Sequence, residues 1–358
     1  MNFDLSEEQE MLQETVRQFL ENECPATTLR EIFDGDVGFS ESLWKGMAEM
    51  GLAGLHLPDE YGGAGLEILD LAIVSETLGY MAAPGPFIGH ALAGLAIATG
   101  GSDAQKKKWL PALATGDAIG TVALGEDGGA WLPDQWGLAA GDKLSGTKNH
   151  VIFAEQADLF VVGTAGGGLA LVEKGAPGLE IKDVDGADRT RRLCQVTFAD
   201  TPAEALPEGE AAAIQVRDAA LVLLAADAFG GASRLVEMCV EYAKTREQFG
   251  VTIGHFQALK HQLANMAVEV EPARGLYWYA AHAMDHVHDE SERTAAVAKA
   301  HITDRYMQVA RDSVEAHGGI GFTWECDVQI WFKRAMFDRA WMGTPAVHRE
   351  RAAQMAAW

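Results

Sequence analysis

Apolar residues recur at three- and four-residue spacing through the first third of the chain. Leu12, Val16, Phe19 and Leu20 fall on one helical face, behind Ser6 and Gln9 in the order of a capping box. A second helix fits residues 40–50 and stops at Gly51, where a C-cap glycine belongs. Residues 57–65 are turn-rich, and 66–81 return to helical spacing. Pro84-Gly85-Pro86 interrupts that spacing. Residues 87–99 then form an apolar helix, and 103–113 a short amphipathic one with Lys106, Lys107 and Lys108 on a solvated face.

From about Asp117 the period changes to that of strands. Short β-type runs at 121–124, 159–162, 169–172 and 195–198 are separated by glycine, aspartate and proline, as in an all-β module. Residues 163–168 hold four glycines and read as a hairpin loop. No Rossmann glycine pattern opens a helix. After Pro202 and Pro207 the chain is helical to its end, with few breakers over 211–245 apart from Gly230-Gly231. Phe256, Leu259, Leu263, Met266 and Val270 share one face. A long helix over 291–316, with Ser291 as its N-cap, stops at Gly318-Gly319. Helices, strands and helices in that order predict three domains: 1–116, 117–206 and 207–358.

Length agrees, because 358 residues exceed what one core usually holds. With 48% hydrophobic and 22% charged residues, the composition is that of an ordinary globular protein. A formal charge of −24 repels nucleic acid and anionic lipid, so neither is an expected partner. No membrane span is expected, and the start Met1-Asn2-Phe3-Asp4-Leu5 lacks a signal-peptide pattern. Cys24, Cys194, Cys239 and Cys326 show no CxxC spacing; reduced thiols in a cytoplasm are expected, with no metal site.

Three segments then stand out: Arg246-Glu247-Gln248-Phe249-Gly250 with Gln257 beyond it, Gly318-Gly319-Ile320-Gly321-Phe322, and the tail Trp341-Met342-Gly343-Thr344. With Leu5-Ser6-Glu7-Glu8-Gln9, Pro58-Asp59-Glu60-Tyr61-Gly62-Gly63 and Trp109-Leu110-Pro111, they make nearly the whole chain resemble an acyl-CoA dehydrogenase. The resemblance implies an α+β multidomain fold: an N-terminal helical domain, a central β-barrel-like domain and a C-terminal four-helix bundle. It implies FAD across a subunit interface, an acyl-CoA substrate and an electron-transfer flavoprotein as acceptor. In such enzymes a desolvated carboxylate removes the α-proton of the thioester while the flavin takes a hydride from the β-carbon.

Carried over position by position, the resemblance implies that Arg246, Gln248, Phe249, Gln257, Gly318, Gly319 and Thr344 bind FAD held mainly by a neighbouring subunit. A guanidinium suits this because it grips pyrophosphate oxygens in a fork. Glu315 joins them at a position where the family carries glutamine, and a carboxylate there opposes pyrophosphate. The family's catalytic glutamate is replaced by Met342. The alternative base position, 26 residues before Arg246, is Ala220. Neither side chain titrates, so no catalytic residue is assigned. Candidates for a relocated base are Asp227, two turns or about 10 Å beyond Ala220, Glu325 and Asp338. The flavin-ring loops also depart: Gly125 stands for a threonine and Ile152 for a second hydroxyl residue.

The pattern is similar to the smaller, base-lacking subunit of bacterial α2β2 acyl-CoA dehydrogenases acting on bulky acyl groups, including steroid side chains, whose partner is a homologous Glu-bearing subunit. A self-contained homo-oligomeric dehydrogenase with a relocated base and a non-enzymatic scaffold are the alternatives.

Overall fold

The computed structural model describes residues 4–35 and 38–356; the opening Met1-Asn2-Phe3 lies outside them. Helix α1 (Glu7–Glu23) starts at the Ser6 capping box, with the Gln9 N–H donating to Ser6 Oγ at 3.2 Å. Helix α2 (Ala26–Asp34) is an element the sequence pattern does not announce, because only Leu29 and Phe33 anchor it in the core. Helix α3 (Glu41–Glu49) follows the Ser40 cap, and Gly51 leaves it at φ +81°. Helices α4 (Ile68–Tyr80), α5 (Phe87–Gly100) and α6 (Asp103–Thr115) complete the N-terminal segment.

Seven strands follow: β1 (Gly120–Ala123), β2 (Lys143–Ile152), β3 (Leu159–Thr164), β4 (Gly168–Glu173), β5 (Leu179–Val184), β6 (Leu193–Pro202) and β7 (Glu204–Ala205). They form two sheets, ordered β1-β3-β4-β7 and β2-β6-β5. β1 and β3 run parallel, and the other pairs are antiparallel. The glycine run turns the β3–β4 hairpin, with Gly166 and Gly167 at positive φ. β2 breaks register between Leu144 and Gly146 and again between Lys148 and Val151. Such bulges erase the alternation by which a strand is read.

Helix α7 (Gly209–Thr245) then runs 37 residues without a break. A short hairpin, β8 (Glu247–Gln248) and β9 (Val251–Thr252), leads to α8 (Gln257–Val270), α9 (Ala273–His286) and α10 (His288–His317). With α7 these make the four-helix bundle, and α11 (Val328–Ala340) and α12 (Pro345–Met355) pack on α10. The expected Ser291 cap is corrected: α10 begins at His288, and Ser291 lies in its first turn with Oγ donating to the His288 carbonyl. By length and composition α7 is apolar enough to cross a membrane, but 83% of its most apolar window is buried inside the protein.

The Gly230-Gly231 pair explains itself through helix crossing. A Cβ at Gly230 would lie 1.9 Å from the Glu76 carbonyl oxygen of α4, and one at Gly231 2.3 Å from Tyr306 Oη of α10. On the facing helix, a Cβ at Gly79 would lie 2.0 Å from the Asp227 carbonyl oxygen. Gly79 and Gly230 bring the α4 and α7 backbones together and Gly231 admits the Tyr306 ring, so the pair does not leave room for an acyl chain. One apolar core runs through the helices of both ends, and a second fills the space between the sheets.

Candidate functional site

The tail after α11 places Met342 in the interior, fully buried and at φ +61°, an uncommon conformation for a side chain of its size. Its carbonyl accepts from His348 Nε2 at 2.8 Å, and Arg351 Nη1 donates to His348 Nδ1 at 3.2 Å. Burial, then the charge of Lys299, pushes the His348 imidazole down to about 3. The ring is therefore neutral, and both its nitrogens are engaged. Trp341 fixes the tail from the other side, donating from Nε1 to the His150 carbonyl at 2.9 Å. Ala220 is buried midway along α7.

The structure corrects the choice of Asp227 as a relocated base. Arg334 Nε and Nη2 donate to its two oxygens at 2.7 and 2.5 Å, and Arg191 Nη2 reaches Oδ2 at 2.7 Å. Burial pushes the carboxyl up, but the two guanidiniums outweigh it and hold it below the ordinary range. A carboxylate so paired is a poor proton acceptor and a structural anion. Asp338 errs the other way: burial, then the Asp227 charge, drives its carboxyl well above the ordinary range, which favours the protonated form. Glu325 is exposed in the turn before α11, its carbonyl accepting from Arg30. Thirteen residues of α11 stand between it and the tail, roughly 20 Å at 1.5 Å per residue.

A different group converges at the end of α7. Arg246, Gln248, Glu315, Gly318 and Gly319 line one open cavity of about 430 Å³, together with Tyr242 and His317. The last two rings are stacked at 4.5 Å. Arg246 is exposed and its guanidinium has no partner among the described residues. Glu315 is exposed in the same cavity, and it too has no side-chain partner. A Cβ at Gly318 or Gly319 would meet nothing within 4 Å, so the surface there is free for a ligand. Gly318 also ends α10 at φ +65°, which suits glycine on its own account. Phe249, 93% exposed, tips the neighbouring hairpin with its ring against Phe256, and Gln257 opens α8 just beyond. Thr344 is not in this group; it is the N-cap residue of α12, beside Met342.

A third region lies between β2 and α11. There Trp131, His150, Leu193, Met336, Phe337 and Trp341 line a cavity of about 310 Å³. Ile152, expected at a hydroxyl position, turns inward against α5, where a Cβ at Gly89 would sit 3.1 Å from its Cδ1.

Family models described as "Acyl-CoA dehydrogenase, N-terminal domain" and "Acyl-CoA dehydrogenase, C-terminal domain" match residues 6–117 and 211–357. The chain is 35% identical to Acyl-CoA dehydrogenase IpdE2 of Mycobacterium tuberculosis, over 92% of this chain and 91% of that protein.

The chain belongs to the acyl-CoA dehydrogenase family.

Among solved structures, it is similar to a chain of "Tcur3481-Tcur3483 steroid ACAD G363A variant", at 33% identity, TM-score 0.90 and 98% coverage of each chain. It is also similar to a chain of the ChsE4-ChsE5 complex from Mycobacterium tuberculosis, at 26% identity, TM-score 0.90 and coverage of 100% of this chain and 99% of that one.

Acyl-CoA dehydrogenases are FAD-dependent oxidoreductases, and the two halves of FAD fit this chain differently. The adenosine and pyrophosphate half suits the open cavity of Arg246, with its unpaired guanidinium and uncovered glycine backbone. The ring half does not suit the β segment: a Cβ at Gly125 would lie 2.8 Å from Trp131 and 2.9 Å from the Asn149 carbonyl oxygen, so no hydroxyl side chain fits there beside the indole. Arg191, Arg334 and Trp131 escaped the sequence reading. Of these only Trp131 carried a signal, as a large aromatic six residues past Gly125 in a glycine-rich loop.

Proposed function

We propose that this chain is the non-basic subunit of a heteromeric, FAD-dependent acyl-CoA dehydrogenase, paired with a homologous Glu-bearing subunit in an α2β2 assembly. The observation that carries the reading is the buried, non-titrating Met342, with Asp227 two turns beyond Ala220 held in ion pairs with Arg191 and Arg334. Bound FAD supplies the hydride acceptor for α,β-desaturation of an acyl-CoA thioester. Arg246 would hold the pyrophosphate of the partner's flavin, Gln248 and Gln257 would offer amides to the adenosine side, and Gly318 and Gly319 would let the cofactor approach backbone. Phe249 provides an apolar lid, and Thr344 belongs to the tail that faces the substrate side. Glu315, whose carboxylate opposes pyrophosphate, would have to meet donor groups of the cofactor or turn away from it, since an ionised carboxylate only accepts. Bulky acyl groups, steroid-derived ones included, are the favoured substrate class; the likeness to a solved steroid ACAD supports this. An electron-transfer flavoprotein is the proposed acceptor, and the cytoplasm the proposed site of action.

The alternative of a self-contained enzyme loses support with Asp227 ion-paired and Asp338 held as an acid. The deciding experiment is dye-coupled turnover of a panel of acyl-CoA thioesters, by the purified chain and by the chain mixed with a Glu-bearing homologue. Turnover only in the mixture is expected. Turnover by the single chain overturns the proposal.

A further inference from the structure

The poor fit of the flavin ring has a positive counterpart in Trp131. Gly125 and Trp131 are a matched pair. A Cβ at residue 125 would stand 2.8 Å from Trp131 Cζ3, 2.9 Å from Cη2 and 2.9 Å from the Asn149 carbonyl oxygen, so a larger residue there would press on the indole and on the backbone of β2. The indole centroid lies 5.9 Å from that of His150, tilted by 35°, and 5.9 Å from that of Trp341, at 64°. Carbon atoms in contact sit about 3.5 Å apart, so a flat ring sandwiched between two others needs roughly 7 Å between them. No ring enters between Trp131 and either neighbour; the cavity of about 310 Å³ that the three residues line is open space beside them, not a slot between them.

The loop that presents the indole is tied down. Trp131 N–H donates to Gln135 Oε1 at 3.2 Å, and its carbonyl accepts from Trp136 Nε1 at 3.2 Å. Downstream, the Glu126 carboxylate accepts from the Gly137 and Leu138 N–H groups at 2.8 and 3.1 Å and from Lys148 Nζ at 2.6 Å.

We propose that Trp131 is a resident plug: its indole takes the place beside His150 and Trp341 that a planar heteroaromatic ring would fill, so this chain excludes the flavin ring from its own β segment and meets flavin only through the Arg246 cavity. Loss of the threonine at position 125 is then one half of a replacement, not decay. The plug also lends the Trp341-Met342 tail an aromatic wall that needs no cofactor. This inference rests on the reading of the chain as a subunit without its own ring site.

The test uses lumiflavin, the ring system without ribityl or adenosine, which bypasses the Arg246 cavity. Its fluorescence is titrated with the purified chain and with Trp131→Ala and Trp131→Leu, each checked for native near-UV circular dichroism. The wild type is expected to give no saturable quenching, and the folded variants to take up one lumiflavin per chain. Arg246→Ala, combined with Trp131→Ala, is expected to leave that uptake unchanged. Saturable binding by the wild type overturns the plug, and so does a folded variant pair that binds none. Partner-dependent turnover is read separately, so lumiflavin uptake without such turnover would retain the plug and remove the subunit assignment.

Discussion

Placing a carboxylate in the tail by Met342→Glu tests the proposal that this chain has no base of its own. Methionine and glutamate have similar length, so the change is chiefly one of charge in a fully buried position. The carbonyl of residue 342 is already used by His348, and that imidazole is neutral and engaged on both nitrogens, so it offers the new side chain no proton or charge. An unpaired buried carboxyl has its pKa raised to about 8 or 9 in documented cases. Keeping it protonated from a reference of about 4.3 costs about 1.36 kcal/mol per pH unit, which is about 1 kcal/mol near pH 5 and about 3.7 kcal/mol near pH 7. The sign follows from the direction of the shift. With a folded-state value above the unfolded one, the variant keeps its stability below the unfolded value and loses it progressively as pH rises toward the folded value. Urea unfolding of wild type and variant at the two pH values should therefore show a destabilisation that grows by about 2.7 kcal/mol between them. A destabilisation that does not change with pH would refute this, because the new carboxyl would then be solvated or paired. Acyl-CoA-dependent bleaching of flavin by the variant without any partner would refute the larger argument, since only the base would then have been missing.

Arg246→Ala should weaken FAD retention by the assembled protein about ten- to a hundredfold, the effect of losing a charge-assisted hydrogen bond; unchanged affinity in a flavin-release titration would reject the pyrophosphate assignment. Asp227→Asn should destabilise the fold by about 3–5 kcal/mol in urea unfolding, because Arg191 and Arg334 lose their shared anion; a folded variant of normal stability would show that the ion cluster is dispensable. Gly230→Ala should cost about 1–3 kcal/mol or more, since the new methyl meets the Glu76 carbonyl, and an unchanged thermal midpoint would mean that α4 and α7 separate easily.

The order of helices and strands was legible because its signals are local. Ser6 with Gln9, Ser40 and the glycines at 51, 166 and 167 act within a few residues of themselves. The misses had equally local causes. α2 carries only two buried apolar residues, and β2 is bulged twice. Ser291 looked like a cap because Ser is a good one, but Val287 terminates the preceding segment. In the site, the cavity members Arg246, Gln248, Glu315, Gly318 and Gly319 come from motifs whose spacing survives in the sequence. The fate of Asp227 was illegible, because its partners lie 36 and 107 residues away and no periodicity connects them. Trp131 was overlooked for a related reason: its meaning depends on the absence of a side chain at Gly125, and an absence has no pattern of its own.

The ion cluster also bears on the history such a chain can have. Arg191 comes from the segment before β6, Asp227 from α7 and Arg334 from α11, and both arginines donate to the Ala83 carbonyl. A carboxylate two turns from Ala220 has the position of a spare base. It is not available in one step, because releasing it strands two interior guanidiniums, and moving the guanidiniums first strands the carboxylate. Every intermediate is less stable than either end. A carboxylate at residue 342 asks for a single side chain, whereas freeing Asp227 to act as a base asks for three coordinated changes, so under the proposed reading the tail is the easier place for a base to be gained.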